Sequence, residues 1–365
     1  MIFINDIIKA VEEFAPKSYQ ENYDNSGLIV GDSSKKISKA LITLDCTEDV
    51  VEEAIKLKCG LIIAHHPIVF SGLKSITGKN YIERVIIKAI KNDIAIYAAH
   101  TNLDNMQMGV NQKIAEKLNL IDCKILSPIS GKLKKLYTYI PKTHLEIVRK
   151  ALNEAGAGKI GNYSDCSFST LGEGKFKAND HANPFVGKQN EIHTEAEIKL
   201  EVIFEAHLEQ KLTGILKEIH PYEEVAFEII SLDNKNPEIG AGMIGKLSKP
   251  LDEGPFLKLL KKNMNTKCIR HTQLLGKKIE KIAFCGGAGS FLLNDAIAQK
   301  ADIFITGDFK YHQFFDAEQK LVIADIGHYE SEQFTNEIFY DVLSKKFPKF
   351  ALLNTKVNTN PVHYY

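Results

Sequence analysis

Short apolar runs of β type alternate with helical segments at both ends of this chain, and this alternation restricts the fold more than any other feature. The runs cover residues 40–44, 61–64, 94–99, 279–285, 303–306, 321–326 and 350–353. Strands that are interleaved with helices indicate an α/β architecture. The sequence therefore predicts an α/β fold built from two similar α/β halves.

Two helices can be read in the first part of the chain. Apolar residues recur at helical spacing between residues 4 and 14, with Asn5 or Asp6 as a possible cap. After the run at 40–44, Thr47 is followed by two acidic residues and by an apolar helical face over residues 50–55. Acidic residues in a first turn complement the positive end of the helix dipole.

Between the two α/β segments, residues 130–235 have a different pattern. Strands are predicted at 135–140, 166–176, 195–204 and 225–230, and helices at 145–155 and 208–219. This βαββαβ order is the ferredoxin-like motif, and the polar stretch 177–193 fits a long hairpin loop. The sequence thus predicts a domain split into residues 1–129 and 236–365, with a ferredoxin-like domain inserted at 130–235.

Two adjacent histidines, His65 and His66, stand between the apolar run 61–64 and Pro67. Side chains alternate along a strand, so neighbours can serve one centre only where the strand gives way to a loop. Pro67 supplies that break. Ligands of open α/β sheets collect at the carboxyl ends of the strands. An isolated His-His-Pro also fits two surface histidines on a loop, so the pair needs support from elsewhere.

Two further strand ends carry side chains that can bind a metal. His100 and Asp104 follow the run 94–99, and His328 and Glu332 follow the run 321–326. The last two residues are four positions apart and share one face of a helix. Each pair alone also fits a capping or surface arrangement. Three such clusters at three strand ends favour one shared metal centre.

The donor set suits two divalent ions. It comprises His65, His66, Asp104, His328 and Glu332. Five side chains exceed what a single catalytic ion with an open position needs. Nitrogen and oxygen donors without thiolate favour zinc, iron, manganese, cobalt or nickel. Glu332 is the best bridge because a carboxylate has two oxygens to share. Two ions would lower the pKa of a shared water and supply a hydroxide nucleophile.

Other polar groups at strand ends are candidates for supporting roles. His100 and His312 are candidate proton shuttles, or else neutral hydrogen-bonded neighbours. Asp45 is either an outer partner of the site or a plain turn residue. Residues 285–290 (CGGAGS) could cradle a phosphate ahead of a helix or simply form a tight turn. Residue 292 is leucine, so the dinucleotide fingerprint is absent.

Five motifs in this chain resemble those of the NIF-three-like family, whose members are catalogued as GTP cyclohydrolase 1 type 2 homologues. They are DNSGLIVGD (24–32), AHHP (64–67), HTNLD (100–104), TGD (306–308) with His312 after it, and GHYESE (327–332). The resemblance implies the five metal ligands already picked by spacing. It also implies a toroidal homohexamer whose dinuclear sites face an internal cavity, and opening of the imidazole ring of GTP with release of formate.

The resemblance extends to the insert. Longer family members carry a domain similar to PII or CutA signalling proteins, and HPYEEVAFEI (220–229) resembles it. Such a domain either binds a small regulator or acts as a structural or oligomerising lid. Two positions depart from the family pattern, since Tyr23 replaces a common tryptophan and Asp308 replaces a glutamate of shorter relatives. Neither is an inferred metal ligand, so the departures concern substrate contacts.

Composition is that expected of a cytoplasmic enzyme. The chain of 365 residues exceeds one ordinary core, so two or three domains are expected. Forty-six basic residues are balanced by 46 acidic ones, which argues against nucleic acid as a partner. Six scattered cysteines without a Cys-x-x-Cys pair, and no secretory leader, indicate reduced thiols. No apolar stretch approaches the roughly 20 residues of a membrane span.

These observations predict a dinuclear metal-dependent hydrolase that acts on a small nucleotide-like substrate. Two alternatives stay open at this point. One is a non-catalytic metal-binding or metabolite-sensing ring protein, in which the insert reports ligand occupancy. The other is a two-metal phosphoesterase, because paired ions recur in phosphatases and nucleases.

Overall fold

The computed structural model describes residues 1–365, which form two compact units. Residues 1–128 and 238–365 make up the first unit, and residues 129–237 make up the second. The bounds of the second unit, Ile129 and Pro237, lie close to the 130 and 235 expected from the sequence.

The strands, in chain order, are β1 (Ile2–Phe3), β2 (Gly27–Val30), β3 (Lys36–Ile37), β4 (Lys39–Thr43), β5 (Leu61–Ala64), β6 (Ala95–Ala98), β7 (Ile121–Pro128), β8 (Leu133–Pro141), β9 (Ser167–Lys177), β10 (Ile192–Glu205), β11 (Phe227–Leu232), β12 (Gly240–Asp252), β13 (Arg270–His271), β14 (Lys278–Ala288), β15 (Ile303–Gly307), β16 (Val322–Asp325) and β17 (Ala351–Asn354). The α-helices are α1 (Ile4–Phe14), α2 (Glu48–Leu57), α3 (Tyr81–Lys91), α4 (Thr101–Asp104), α5 (Val110–Leu118), α6 (Leu145–Glu154), α7 (Glu209–Ile219), α8 (Glu253–Asn263), α9 (Leu293–Ala298), α10 (His328–Glu332) and α11 (Thr335–Lys346).

The first two helices show which local signals decide a helix start. Thr47 caps α2, because its hydroxyl accepts a hydrogen bond from the backbone N–H of Val50 at 3.4 Å. The predicted cap of α1 is wrong. That helix starts at Ile4, so Asn5 and Asp6 lie inside its first turn, and no side chain caps it. Instead, a backbone group from outside the helix stabilises its first turn, since Ile4 N–H donates to the carbonyl of Lys35.

The first unit contains a five-stranded sheet of order β17-β4-β5-β6-β2. Its first four strands are parallel, and β2 runs antiparallel to β6 at the edge. Every residue of β5 and β6 is buried, which explains why these strands appear in the sequence as continuous apolar runs. Helices α1 and α11 share one core cluster with this sheet, and α2 and α3 share another.

The first unit also contains a six-stranded sheet of order β13-β16-β15-β14-β12-β7 and a short antiparallel pair, β1-β3. Strands β14, β15 and β16 are parallel, while β13, β12 and β7 pair antiparallel to their neighbours. Each of the two larger sheets also contains one strand from the other sequence segment. Strand β7 from the first segment joins the second sheet, and β17 from the end of the chain joins the first sheet beside β4. The first unit is therefore a mixed α/β fold that requires both segments.

The second unit is a four-stranded antiparallel sheet of order β11-β8-β10-β9 with two helices. Its core combines apolar residues of β8 and β10 with one face each of α6 and α7. Strands β9 and β10 form a long hairpin whose register begins at Lys177 and Ile192. The loop between them, residues 178–191, folds back on itself, since Asn190 N–H donates to the carbonyl of Ala178 at 2.7 Å.

None of the helices has the length and apolar character needed to cross a lipid bilayer. All six cysteines are unpaired, and three of them, Cys46, Cys59 and Cys285, are buried.

Candidate metal centre

The end of β5 places two imidazoles on the same side of the chain. His65 and His66 follow Ala64 directly, and both backbone N–H groups donate to the carbonyl of Leu44, at 3.1 and 3.0 Å. These two hydrogen bonds to one carbonyl do not continue the regular ladder of the strand. The side chains of His65 and His66 therefore no longer point to opposite faces. The two ring centroids are 4.8 Å apart. The break in the strand thus brings adjacent histidines to one site.

Helix α10 follows β16 and carries the other histidine and the buried glutamate. His328 Nε2 lies 3.1 Å from Glu332 Oε2 across one helical turn, as the spacing of four residues predicted. The helix approaches the neighbouring strand ends closely. A Cβ atom at Gly307 would lie 2.8 Å from the backbone nitrogen of His328. A Cβ atom at Gly287, whose φ is +64°, would lie 2.4 Å from Glu332 Oε1. Only glycine fits at both places.

One set of donor atoms is formed by His66, His328 and Glu332. Glu332 Oε2 lies 2.9 Å from His66 Nε2, and the two imidazole Nε2 atoms are 3.4 Å apart. Ligands about 2.1 Å from a tetrahedral or octahedral ion are separated by roughly 3.0–3.4 Å. The three donors therefore already have the spacing of ligands around a single ion.

A second set is formed by His65, Asp104 and the other oxygen of Glu332. His65 Nε2 lies 3.4 Å from Asp104 Oδ1 and 3.9 Å from Glu332 Oε1. His65 Nε2 and Asp104 Oδ1 are both buried, and neither has a hydrogen-bond partner. Buried polar atoms of this kind need a partner, and a cation between the two would supply it. These clusters could hold a metal, with the ligand atoms of each set within 4.8 Å of one another.

Each of the three histidines is oriented by a partner at its other ring nitrogen. His65 Nδ1 donates to the carbonyl of Ala99 at 2.9 Å, and His66 Nδ1 donates to Asp45 Oδ1 at 2.7 Å. His328 Nδ1 donates to Asp308 Oδ2 at 2.6 Å. With the proton on Nδ1, each Nε2 lone pair points into the cluster. Such outer partners fix ring orientation and raise ligand basicity in metal sites.

The electrostatics of the cluster favour positive charge. Burial would lower the pKa of His65, but the carboxylates of Asp104 and Glu332 raise it to about 10. In the same way, Glu332 and Asp308 overcome burial and raise the pKa of His328 to about 11. Burial opposes ionisation of Glu332, yet the surrounding imidazoles hold its pKa well below its ordinary value. A divalent cation would take the place of these imidazole protons.

His100 lies beside the cluster and has a strong partner of its own. Its ring centroid is 5.4 Å from those of His65 and His66. Its Nδ1 lies 2.8 Å from Oδ1 of Asp24, whose side chain is buried. Burial opposes ionisation of Asp24, but hydrogen bonds from His100 and Thr101 hold its pKa well below its ordinary value. The pair therefore keeps the His100 imidazole next to the donor atoms.

His312, the other candidate proton shuttle, is not brought to the cluster. It lies on an exposed 3-10 helix, Tyr311–Ala317, where its ring packs against those of Tyr311 and Phe315. The two cavities beside the cluster are lined without it. His312 thus lies on the exposed 3-10 helix after β15 and lines neither cavity, which strand-end position alone could not reveal.

The glycine-rich segment 285–290 is a tight packing turn rather than an open anion cradle. Gly286 N–H donates to Asn111 Oδ1, and Gly287 N–H donates to the hydroxyl of Ser331, both at 2.9 Å. Gly289 N–H donates to the hydroxyl of Thr306 at 2.9 Å. Three of its amides are thus engaged within the protein. The glycines instead let α10 approach β14.

Two cavities open onto the cluster from different sides. One, of about 670 Å³, has aromatic walls that include Tyr23, Phe70 and Phe291, and it also contacts His100. The other, of about 510 Å³, is bounded by Arg270 and by residues 360–364 near the chain terminus. Arg270 binds Asp325 and the carbonyl of Phe309 through one nitrogen.

Several of these residues carried no usable signal in the sequence. Arg270 lies on a two-residue strand, so no periodic pattern marks it. Phe70 lies in an irregular loop after Pro67 and contacts the rings of Tyr23 and His100 at centroid distances of 6.1 and 6.2 Å. Asp24 could have been noticed through its motif, but nothing in that motif indicates a partner 76 residues away.

Comparison with known proteins gives one consistent result. The family model described as Duf34/NIF3 (NGG1p interacting factor 3) matches residues 2–361. A protein of Halalkalibacterium halodurans named GTP cyclohydrolase 1 type 2 homolog is 39% identical over 360 residues, covering 97% of each chain. A Bacillus subtilis protein of the same name is 38% identical over 361 residues, covering 97% of this chain and 96% of its own.

Solved structures show the same similarity over the whole length. A Bacillus cereus protein described as related to NIF3 superposes with a TM-score of 0.87 at 37% identity, covering 100% of this chain and 99% of its own. A Staphylococcus aureus protein superposes with a TM-score of 0.79 at 28% identity, with the same coverage.

Proposed function

Because this chain belongs to the Duf34/NIF3 family, we propose that it is a dinuclear metal-dependent hydrolase of a nucleotide-like substrate. One observation carries the proposal. The two oxygens of Glu332 are directed at different donor sets, Oε2 at His66 and His328, and Oε1 at His65 and Asp104. A carboxylate that faces two donor sets is the geometry expected of a bridge between two ions.

The donor atoms fit the group that the proposal requires. His66 and His328 would hold one ion, His65 and Asp104 the other, and Glu332 both. Nitrogen and oxygen donors without thiolate suit zinc, iron, manganese, cobalt or nickel, and the donors do not choose among them. Two such ions, when bound, would polarise a substrate and lower the pKa of a bound water molecule towards neutrality.

The residues around the donors would bind and orient the substrate. Tyr23 and Phe70 form an aromatic wall of the larger cavity, and a flat ring can stack against such a wall. Across the cluster, Arg270 places a guanidinium in the smaller cavity. A guanidinium suits the phosphate groups of a nucleotide. The relatives named GTP cyclohydrolase 1 type 2 homolog make a guanine nucleotide the first substrate to test.

We assign proton transfer to His100 rather than to His312. His100 lies beside the donor atoms and shares the larger cavity with the aromatic wall. Asp24 accepts a hydrogen bond from its Nδ1, which leaves Nε2 as the atom that can take or give a proton. His312 lies on an exposed helix away from both cavities and has no such partner.

The test compares Glu332→Ala with the unchanged protein. We expect the variant to lose bound metal and any turnover, because it removes one donor from each set. Metal is counted per chain by mass spectrometry after loading and desalting. Turnover is measured with GTP, a simple phosphoester and single-stranded DNA, by assaying formate, phosphate and shortened strands. Glu337→Gln is the control, because Glu337 is a partly exposed residue of α11 that pairs with Lys117 and is not one of the donors. Full metal content in the Glu332 variant would contradict the ligand assignment.

The same experiment separates the two alternatives. Phosphate released from the phosphoester, without formate from GTP, would indicate a two-metal phosphoesterase, which the guanidinium of Arg270 beside the cluster favours. Metal retention with no product from any substrate would indicate a non-catalytic metal-binding or metabolite-sensing protein.

We also propose a toroidal homohexamer, with residues 129–237 as an inserted ferredoxin-like domain similar to PII or CutA proteins. The support for the insert is its element order, βαββαβ, together with the sheet order β11-β8-β10-β9. The assembly rests on family membership alone. Light scattering on the eluted protein tests it, because six copies of a 40.9 kDa chain differ clearly in mass from a monomer or dimer.

A further inference from the structure

The second unit contains a cavity that the proposed function does not use. It measures about 590 Å³, within the roughly 300–1,000 Å³ range of small-molecule sites. Its walls come from the β9–β10 hairpin, from the loop 178–191 between those strands and from the segment that follows α7. All of the lining residues lie within 139–226, so the cavity belongs to this unit alone.

Aromatic rings form much of the cavity wall. The ring centroid of Tyr222 lies 6.4 Å from that of Phe176 and 6.2 Å from that of Phe185. Phe185 is on the loop, and 53% of its surface is exposed. The loop is tied down beside it, because Asn183 N–H donates to Glu223 Oε1 at 2.8 Å. The rings are therefore held around a space that an apolar or aromatic body could fill.

A buried carboxylate faces this space. Glu197 on β10 is only 9% exposed, and its Oε1 accepts a hydrogen bond from the hydroxyl of Tyr222 at 2.8 Å. Space for it is made by Gly174 on the neighbouring strand, where a Cβ atom would lie 2.1 Å from Oε2. A β-strand position occupied by glycine is otherwise unfavourable, so the missing side chain has a clear packing reason.

No cation of the protein pairs with Glu197. The two lysines that line the cavity are engaged elsewhere, since Lys199 pairs with Glu201 at 3.3 Å and Lys175 pairs with Glu173 at 3.2 Å. Glu223 and Glu224 add two further carboxylates to the lining. Burying a carboxylate without a counter-ion is costly. The cavity therefore combines aromatic walls with an excess of negative charge.

We propose that this cavity binds a small organic cation, an amine attached to a flat or apolar body. The ammonium group would pair with Glu197 Oε2 and donate to it, while the body packs between Tyr222 and Phe185. Cations are also attracted to aromatic faces, so the walls and the carboxylate favour the same charge. Phosphates and other anions are excluded by that charge. The ligand class of this cavity thus differs from that of the metal centre.

A series of three indoles isolates the role of charge. Tryptamine, tryptophol and indole-3-acetate share one ring and carry a positive, zero and negative charge at neutral pH. Binding to the full-length protein is measured by calorimetry. We expect tryptamine to bind at least tenfold more tightly than tryptophol, and indole-3-acetate not to bind. Equal affinity for tryptamine and tryptophol, or no binding of any of the three at millimolar concentration, would overturn the proposal.

Two variants locate the interaction. Glu197→Gln keeps shape and removes charge, so tryptamine affinity should fall at least tenfold while tryptophol affinity stays the same. The control is Glu154→Gln on the exposed surface of α6 in the same unit, because Glu154 pairs with Lys150 and neither residue lines the cavity. Phe185→Ala, on the exposed loop, serves if the first variant does not fold, and it should weaken both indoles. Unchanged tryptamine binding in Glu197→Gln or in Phe185→Ala would refute the site.

Discussion

Gly287→Ala is the substitution that most directly tests how the fold builds the donor set. Gly287 lies at the end of β14 with φ +64°, and a Cβ atom there would be 2.4 Å from Glu332 Oε1 and 3.3 Å from Cε1 of His328. Ordinary contact begins at 3.4 Å, so the carboxylate or the backbone must move by about 1 Å. The change therefore acts on the donor atoms without altering any donor.

The size of the effect follows from two separate costs. A left-handed conformation costs a non-glycine residue about 1–2 kcal/mol, which lowers stability. Metal–ligand distances tolerate deviations of only about 0.2 Å. A displacement of about 1 Å at the shared carboxylate should therefore weaken metal binding by at least the roughly 10–100-fold seen when an outer partner is lost. Tenfold corresponds to about 1.4 kcal/mol.

Gly276→Ala is a matched control, because it isolates the backbone cost. Gly276 has φ +69°, and a Cβ atom there meets nothing within 4 Å. Both variants should lose about 1–2 kcal/mol of unfolding free energy in urea, and only Gly287→Ala should lose metal in a chelator competition measured at equilibrium. Equal metal affinity in the two variants would show that glycine at position 287 is not needed to leave space for the Glu332 carboxylate.

Two further predictions concern a metal partner and a buried histidine. Asp308→Asn should weaken metal binding about 10–100-fold, because the carboxylate that orients His328 loses its charge, with exposed Asp316→Asn as the control in the same chelator competition. Acid should destabilise residues 129–237, because burial lowers the pKa of His220, whose Nδ1 accepts from Tyr222 N–H and whose Nε2 donates to the carbonyl of Tyr139. The stability is present above the ordinary histidine pKa of about 6.5 and is lost as pH falls below it. The protection factors of the β8 and β11 amides, which are corrected for the intrinsic pH dependence of exchange, should therefore fall as the pH is lowered from about 7.5 to about 5.5 in the unchanged protein and not in His220→Gln.

Local signals in the sequence identify most of the elements. Strand β5 is bounded by the residues 61–64 that its apolar run predicted, because a strand buried on both faces must be apolar throughout. The spacing of His328 and Glu332 fixes their shared face on α10, since helical geometry depends only on sequence separation. Such features need no knowledge of distant contacts.

Tertiary packing decides which residues complete the centre and how they are aimed. His100 and His312 look alike as strand-end histidines, yet Asp24 holds the first beside the donors, while an exposed 3-10 helix carries the second away. Likewise, the need for glycine at position 287 appears only when Glu332, distant in sequence, is placed against it.

The sequence alone therefore determined the chemistry of the donor atoms, because residue type and strand-end position are local properties. The joining of β7 and β17 to sheets of the other segment, and the division of the two oxygens of Glu332 between two donor sets, were decided by the folded chain. Both depend on contacts between residues more than 100 positions apart, and no local periodicity encodes such distances.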